Sequence, residues 1–325
     1  MCLIGLAIDV DRRFPLVVAA NRDEFFDRPA SRLAWWSPGA GQPDVLSGRD
    51  LQSAGTWLGL TAQGRLAMLT NVRQPSRIDP SAPSRGQIVP EWLAGTEPTD
   101  HFWMRTALMG YNGFNLIAAD FRRGECFWAS NAGAHPVRLE RGVYGVSNAS
   151  LDTPWPKVDG LKATLKRALT DAVAATSTAT STVDALSQRL FDALADRSTP
   201  PDARLPSTGV SLDTERMLAS TFIRSPDLRY GTRCSTLIIT ERVKRHLVTH
   251  VLERSFSATG GVALLRRATL TDWPPRYADD LPFSPRENEP VSETELHQEA
   301  VADASVKRTR VRSLLKPEPR HRRRS

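Results

Sequence analysis

The sequence predicts a mixed α+β domain in which sheets and helices pack in layers. Three features of the 325-residue chain support this fold class. Strand patterns dominate residues 2–146, the clearest helical periodicity lies in residues 157–196, and strand patterns return at residue 234. Because strands and helices are grouped and do not alternate regularly, the order of the predicted elements argues against a parallel βαβ repeat.

The chain opens with two unbroken apolar runs, Cys2–Ile8 and Pro15–Ala20, which a polar turn separates. Neither run alternates apolar and polar residues, and this is typical of strands that are buried on both faces. We therefore predict a buried hairpin. Shorter apolar runs predict further strands at residues 56–60, 66–70, 115–119, 126–129, 143–146, 234–240 and 247–252.

Helical spacing occurs in two pairs of segments on either side of the middle strands. The clearest case contains Val158, Leu161, Leu165 and Leu169, whose spacing by threes and fours places them on one helix face. A low-complexity Ala/Ser/Thr connector, residues 175–182, separates the second pair. The predicted helices are residues 85–94, 100–109, 157–175 and 183–196.

The net charge of +7 is concentrated at the C-terminal end of the chain. Residues 307–325 hold nine Lys or Arg and one acid, whereas residues 1–306 hold 34 basic and 35 acidic side chains. We predict a folded domain over residues 1–275 and a disordered Pro-, Glu- and Arg-rich tail over 276–325. The body has no basic excess that would indicate a specific nucleic-acid partner, although the tail can contact anionic surfaces.

Several features predict a cytoplasmic protein without a membrane span or bound metal. No run reaches 18 apolar residues, and the apolar start is too short for a signal peptide. The three cysteines are odd in number and far apart, which favours a reducing compartment. His246 and His250 fall in a predicted strand, where residues four apart lie about 13 Å from each other, too far to chelate one metal ion.

Cys2 is the most informative residue for function. Removal of Met1 would leave a thiol and a free α-amine on the same residue, and the amine, with an ordinary pKa of about 7.7–8.0, can act as the base for its own thiol. The simpler interpretation is a small residue that opens a buried strand. Neighbouring residues must decide between the two.

Polar residues follow several predicted strands. The tetrapeptide Asn21-Arg22-Asp23-Glu24 comes directly after the second apolar run, so a hairpin would bring it near Cys2. Such a cluster can position the terminal amine, or it can be a solvated turn. Asn71 and Asn148 end later strands, where each can donate to an oxyanion or serve only as a turn residue. Arg233 opens a late strand as either a substrate clamp or a surface cation.

Eight short motifs occur in an order that resembles the NRDE family, which is named for the Asn-Arg-Asp-Glu tetrapeptide and includes the transport and Golgi organisation proteins. The resemblance covers about residues 1–255. The motifs are Met1-Cys2, Asn21–Glu24, Gly55–Gly59, Leu69–Arg73, Ser84–Gly86, Tyr111–Asn115, Gly145–Asn148 together with Leu151–Trp155, and Tyr230–Thr236.

The resemblance implies a four-layer αββα sandwich of the N-terminal-nucleophile hydrolase type. By similarity to the cysteine amidases of that superfamily, it implies that Cys2 is nucleophile and base, and that Asp23 orients its amine. Asn71 and Asn148 would line the oxyanion site, and Arg233 would be a late arginine near the thiol. Those amidases carry an arginine three residues before the aspartate, where this chain has Ala20; Arg22 is the candidate replacement.

The implied activity is hydrolysis of an amide or related acyl bond in a small molecule, for which no cofactor is required. NRDE relatives are also associated with haem trafficking and with lipid or acyl-CoA homeostasis. The alternative is therefore a non-catalytic carrier that binds haem or an acyl lipid in an apolar cleft with aromatic walls. The tryptophans available for such a cleft are Trp35, Trp36, Trp57, Trp103 and Trp128.

Overall fold

A computed structural model of the chain describes residues 2–174, 182–259 and 261–275. Met1, most of the connector and the predicted tail lie outside the described residues. Within them, six antiparallel strands form a first sheet in the order β10-β1-β2-β11-β12-β13. These strands are β1 (Cys2–Ile8), β2 (Leu16–Phe25), β10 (Gly142–Val146), β11 (Tyr230–Val243), β12 (His246–Phe256) and β13 (Val262–Thr271).

Seven antiparallel strands form a second sheet in sequential order from β3 to β9. Each strand in it pairs with the next along the chain. The longest connection, residues 72–113, joins β6 to β7 and contains two α-helices. The strands are β3 (Ala30–Trp36), β4 (Val45–Asp50), β5 (Leu58–Thr61), β6 (Arg65–Asn71), β7 (Phe114–Asp120), β8 (Glu125–Ser130) and β9 (Ala134–Arg138).

Helices cover the outer faces of both sheets. The helices are α1 (Ile88–Ala94), α2 (Thr99–Ala107), α3 (Pro156–Ala174), α4 (Thr182–Leu194) and α5 (Leu212–Ala219). One apolar cluster joins α3 and α4 to β1, β2 and β11, and another joins α1 and α2 to β6 and β7. A third cluster fills the space between the two sheets. The predicted αββα sandwich is therefore confirmed.

Residues of β1 show why the hairpin lacks alternation. Ile4 and Leu6 point into the space between the sheets, while Leu3 faces the helices, and all three are at most 1% exposed. Full burial of such side chains contributes roughly 1.5–3 kcal/mol each. Gly5 lets α3 approach closely, because an added Cβ would lie 2.7 Å from Leu165 Cδ1.

The predicted hairpin, strands and four helices are present with shifted ends, and one prediction is wrong. The Asn21–Glu24 tetrapeptide does not follow β2 but lies inside it, since the strand continues to Phe25. Strand β11 pairs with all four residues, and β1 pairs with Asn21 and Arg22, so the polar side chains do not end the strand. Strands β3, β4, β9 and β13 and helix α5 were not predicted from the sequence.

Candidate active site

Alternation along β2 divides the tetrapeptide between two faces of the first sheet. Asn21 and Asp23 face the helices, where the Asn21 amide donates to the Leu194 carbonyl at 2.8 Å. Arg22 faces the second sheet and binds Asp50 of β4, with 2.7 Å between Nη2 and Oδ2. Cys2 is the register partner of Arg22 in β1. The thiol and one arginine therefore lie side by side on the face between the sheets.

Cys2 lines a polar cavity of about 260 Å³ where strand ends of the two sheets meet. We call it the thiol cavity. The first sheet contributes Cys2, Arg22, Asp23 and Glu24, and the second contributes Asn71. Further walls are formed by Arg28, Asp50, Ser53, Thr56, Trp57, Leu69, the segment 82–86 and Asn112.

The Cys2 thiol is held in conflicting electrostatic surroundings. Cys2 is 8% exposed, and this burial raises the pKa of its thiol. The negative charge of Asp23 raises that pKa as well. The positive amino terminus, the charge of Arg22 and a hydrogen bond from the Asp23 backbone act in the opposite direction. A thiolate at this position would thus depend on nearby cations and on a base that takes its proton.

Asp23 is buried on the helix side of the sheet next to Lys157 of α3. Its Oδ1 accepts a 2.7 Å hydrogen bond from the Thr232 hydroxyl. Burial raises the pKa of Asp23, while the amino terminus, Lys157 and the Thr232 hydrogen bond act to lower it. The Lys157 ammonium donates to the Leu218 carbonyl at 2.9 Å, and burial lowers its pKa to about 8 in spite of Asp23.

Lys157 makes stability depend on pH in a predictable direction. Because its folded pKa of about 8 lies below its ordinary value of 10.5, the unfolded chain binds the extra proton between these pH values. The free energy of unfolding should therefore rise from pH 8 to pH 10.5, by about 3 kcal/mol from this group. Denaturant titrations of Lys157→Met should lack this rise, whereas Lys162→Met, on the same helix, should keep it. Parallel profiles for the native chain and Lys157→Met would contradict the assignment.

Asn71 and Asn148 lie next to each other in the structure. The Asn148 side-chain amide donates to the Asn71 carbonyl at 2.8 Å. The Ser147 hydroxyl donates to the Cys2 carbonyl at 2.9 Å and lies 3.2 Å from Asn148 Oδ1. Asn71 lines the thiol cavity, but Asn148 is 1% exposed and does not line it. Of the two residues, Asn71 is therefore better placed to contact a ligand. Asn148 holds the backbone of Asn71 in position.

Arg233 is not placed with the thiol. It occupies the bulge between Thr232 and Cys234 in β11. Its Nη1 donates to the carbonyls of Phe25 and of Arg28, the latter at 3.0 Å. Its side chain lines a neighbouring cavity that does not include Cys2. The family role predicted for this arginine stays a prediction.

Arg85 is a cavity residue that the sequence reasoning did not select, although it lies in the Ser84–Gly86 motif. Its Nη1 donates to the Gly113 carbonyl at 2.8 Å, and it forms no salt bridge with the residues that the structure describes. Burial lowers its pKa, while the negative charges of Cys2 and Glu24 act to raise it. Arg85 therefore brings a positive charge to the thiol cavity without a salt bridge to a described carboxylate.

Close backbone contact holds the Arg85 segment in place. The Thr56 N–H donates to the Gly86 carbonyl at 3.1 Å. This approach requires a glycine at position 55, because a Cβ there would lie 1.8 Å from the Gly86 oxygen. The Gln87 side chain adds a 2.6 Å hydrogen bond to the Ser53 carbonyl. Two of the eight sequence motifs, around Gly55 and Gly86, thus form one wall of the cavity.

A buried ion pair lies next to the two asparagines and was also missed from the sequence. Arg73 follows β6 and binds Glu215 of α5 with 2.6 Å between Nη1 and Oε2, and both side chains are at most 6% exposed. The Arg73 backbone N–H donates to the Asn148 carbonyl at 2.8 Å. Glu215 Oε1 also accepts from the hydroxyl and N–H of Thr208. The pair links α5 to the strand ends that carry the two asparagines.

The two strand histidines have separate partners. His246 lies 3.1 Å from Asp272, and His250 lies 3.0 Å from an Arg267 nitrogen. Over residues 2–174, 182–259 and 261–275, no three His, Cys, Asp or Glu side chains form a group that could hold a metal ion. No helix within the same residues has the length and apolar character needed to cross a membrane.

The five tryptophans predicted for an apolar cleft do not converge. Trp57 lines the thiol cavity, Trp128 is 3% exposed in the core between the sheets, and Trp35 is 43% exposed. Trp103 lines a separate apolar cavity of about 150 Å³ beside α2. Carriage of haem or an acyl chain stays a prediction of the family resemblance.

The fold and the site define an αββα protein with a polar, cysteine-lined cavity at the ends of its two sheets. A sequence profile for Transport and Golgi organisation 2 matches residues 1–258. The Transport and Golgi organization protein 2 homolog of Bos taurus is 35% identical over 261 residues, covering 74% of this chain and 89% of that protein. The Homo sapiens homolog is 33% identical over 258 residues, with the same coverage. The chain belongs to the Transport and Golgi organisation 2 family, and the predicted resemblance is confirmed.

Two solved structures are similar to this chain at low sequence identity. One is the mutant C2A conjugated bile acid hydrolase from Clostridium perfringens, with 9% identity and a TM-score of 0.41, covering 83% of this chain and 92% of that one. The other is the N-acylethanolamine-hydrolyzing acid amidase ortholog of Caenorhabditis elegans, with 11% identity and a TM-score of 0.41, covering 73% and 92%.

Proposed function

We propose that this protein hydrolyses an amide or related acyl bond of a small molecule, with Cys2 as the nucleophile after loss of Met1. The observation that carries the proposal is the position of Cys2 in the wall of the thiol cavity, among Arg22, Asp23 and Arg85. A nucleophile needs access to substrate, a base and a group that orients the base. The cavity gives substrate access to the thiol, and groups on and around Cys2 are candidates for the base and for the group that orients it.

The base in this proposal is the α-amine of Cys2. Its proposed orienting group is Asp23, which lines the thiol cavity together with Cys2. A carboxylate next to the ammonium form stabilises it while it holds the thiol proton. Lys157 also acts on Asp23, because its positive charge lowers the pKa of that carboxyl.

The reaction then proceeds in two steps. The amine takes the thiol proton, the sulfur attacks the carbonyl carbon, and the oxyanion that forms is stabilised by donors at the Asn71 end of the cavity. The C–N bond breaks as the ammonium proton passes to the leaving amine, which leaves a thioester on Cys2. Water then attacks the thioester carbon, the amine takes a proton from it, and the acid departs as the thiol is restored. No cofactor enters this sequence of steps.

A chemical test uses the untagged full chain and a panel of small N-acyl amides and lactones. Intact mass should show that Met1 is absent, and one equivalent of a thiol electrophile should label Cys2 ahead of Cys126 and Cys234. The same labelling should stop release of the amine. Retention of Met1, or cleavage at the full rate by protein alkylated at Cys2, would overturn the proposal.

Arg85 should favour anionic reagents at the thiol. Iodoacetate and iodoacetamide differ chiefly in charge, so the ratio of their alkylation rates at Cys2 measures the local positive potential. Arg85→Gln should lower this ratio about three- to tenfold, because the substitution removes from the cavity a positive charge that no salt bridge neutralises. Peptide mapping identifies the alkylated cysteine. Arg189→Gln, at an exposed ion pair on α4, is the control, and an unchanged ratio in Arg85→Gln would contradict this role.

A further inference from the structure

The guanidinium group of Arg85 lies at the end of the thiol cavity that carries Asn71. Arg85 Nη1 donates to the Gly113 carbonyl at 2.8 Å. The same carbonyl oxygen accepts the backbone N–H of Val72 at 2.9 Å, and Val72 directly follows Asn71, the last residue of β6. Because both donors reach one oxygen atom, the guanidinium is next to the Asn71–Val72 peptide. Arg85 and Asn71 both line the cavity.

The other two arginines of the thiol cavity are paired with its carboxylates. Asp50 accepts from Arg22 at 2.7 Å and from Arg28 at 2.6 Å. Burial acts to raise the pKa of Asp50, but these hydrogen bonds and charges outweigh it and hold the pKa low. Glu24 Oε2 lies 3.8 Å from Arg22 Nη2 and 3.9 Å from Arg28 Nε. The positive charges of both arginines are therefore balanced within the cavity wall.

Arg85 differs from these two arginines, because it forms no salt bridge with the residues that the structure describes. A guanidinium has several N–H donors, and one of those of Arg85 has an acceptor among the described residues, the neutral Gly113 carbonyl. Asp23, the remaining carboxylate in the cavity wall, accepts from the Thr232 hydroxyl at 2.7 Å. Arg85 is half-buried, and burial lowers its pKa. An anion within hydrogen-bond distance would satisfy more of its donors and offset part of the cost of burying the charge.

Hydrogen bonds next to Arg85 hold its backbone in place. The Gly86 carbonyl accepts the Thr56 N–H at 3.1 Å. The Gln87 side chain donates to the Ser53 carbonyl at 2.6 Å. A donor that is already positioned loses little conformational freedom when a ligand binds. Arg85 can therefore discriminate between ligands by their charge.

We propose that Arg85 binds an oxyanion group of the substrate, a carboxylate or a phosphate. The planar fork of a guanidinium donates two parallel hydrogen bonds to either group. Because the guanidinium lies next to Asn71, the oxyanion group belongs close to the acyl bond that Cys2 attacks. The substrate class is then a small amide that carries a negative charge. The statement about cleavage rests on the proposed hydrolase function; binding of the oxyanion group does not.

Titration calorimetry of the full-length Cys2→Ala protein tests the inference, because this variant lacks the thiol that would cleave a bound amide. The ligands are N-hexanoylglycine, its neutral carboxamide and the matched N-hexanoyl aminomethylphosphonate. About 0.15 M NaCl in the buffer screens the exposed charges of the chain. One anionic ligand should bind about tenfold or more tightly than the carboxamide, since hydrogen bonds to charged groups are strong. Preference for the carboxylate or for the phosphonate identifies the oxyanion group.

Variants at Arg85 in the same Cys2→Ala background locate the preference. Arg85→Gln should remove most of it and leave the affinity for the carboxamide largely unchanged. Arg85→Lys should keep part of it, because lysine supplies the charge without the planar fork. Arg105→Gln, at an exposed ion pair on α2, is the control for a general loss of charge and should change neither affinity. Thermal melting shows whether each variant is folded.

The outcomes separate this inference from the proposed hydrolase function. Equal affinity for charged and neutral ligands, or an unchanged preference in folded Arg85→Gln protein, would overturn the inference. An equal loss for all three ligands would place Arg85 at the amide carbonyl and would overturn it as well. Release of amine by the native chain tests hydrolysis separately. A preference that requires Arg85, without release of amine, would retain the anion site while hydrolysis fails, and release without the preference would do the reverse.

Discussion

Cys2→Ala should lower amide hydrolysis by about 10³-fold or more, because loss of an attacking nucleophile is among the most costly changes an enzyme can undergo. The thiol lines the thiol cavity, so the change removes the atom that would form the thioester. Alanine is smaller than cysteine and enters a site that is 8% exposed, so the fold should be retained. Initial rates on a substrate from the amide panel provide the measurement.

Cys126→Ala is the matched control for this prediction. Cys126 is 3% exposed in the core between the sheets and does not line the thiol cavity. Its replacement should cost some stability by leaving a small cavity, but turnover should persist. Equal rates for Cys2→Ala and the native chain would exclude nucleophilic catalysis by Cys2. Equal losses in the two variants would point to packing and away from chemistry.

Arg73→Met should lower the free energy of unfolding by about 3–5 kcal/mol, the usual cost of removing one partner from a buried ion pair. The change leaves the Glu215 carboxylate, 3% exposed, without its cation. Methionine roughly preserves the volume of the arginine stem, so lost packing contributes little. Denaturant unfolding followed by circular dichroism measures the loss.

The same helix supplies a control for the ion pair. Arg216, next to Glu215 in α5, pairs with Asp202 at 2.6 Å and with Asp213 at 2.7 Å on the surface. Exposed pairs contribute much less than buried ones, so Arg216→Met should have a far smaller effect. Similar losses in the two variants would show that the burial of the Arg73–Glu215 pair does not matter.

The Arg73 change should affect the site as well as stability. Arg73 donates its backbone N–H to the Asn148 carbonyl, and Asn148 binds the Asn71 carbonyl. Its guanidinium also lies 5.1 Å from the centre of the Trp155 ring. Movement of residue 73 would therefore shift the wall that carries Asn71. The pair is a positioning element whose effect on turnover acts through other residues.

Much of the fold could be predicted because its signals are local. The apolar runs of β1 and β2 and the spacing of Leu161, Leu165 and Leu169 each depend on a few neighbouring residues. Where a segment is polar, tertiary pairing decides the structure. The Asn21–Glu24 tetrapeptide is a strand only because β1 and β11 flank it.

Part of the site could likewise be predicted, since motifs mark residues even when their contacts are unknown. The sequence placed Cys2, Asp23, Asn71 and Asn148 in one site, and the structure brings them together. The sequence analysis also predicted that Arg233 lies near the thiol, but its side chain lines the neighbouring cavity. A bulge in β11 directs that side chain into the neighbouring cavity, and one extra residue in a strand has no reliable sequence signal.

The sequence by itself determined the family, the layered α+β fold and the motif residues that lie near Cys2, because composition and short motifs can be recognised without knowledge of contacts. Only the tertiary structure decided the partner of each charge. Asp50 binds Arg22 and Arg28, Glu215 binds Arg73, and Arg49 and Arg85 form no salt bridge with the described residues. Such pairings join segments far apart in the chain, and Coulomb energies depend on distance and burial, which no linear pattern encodes.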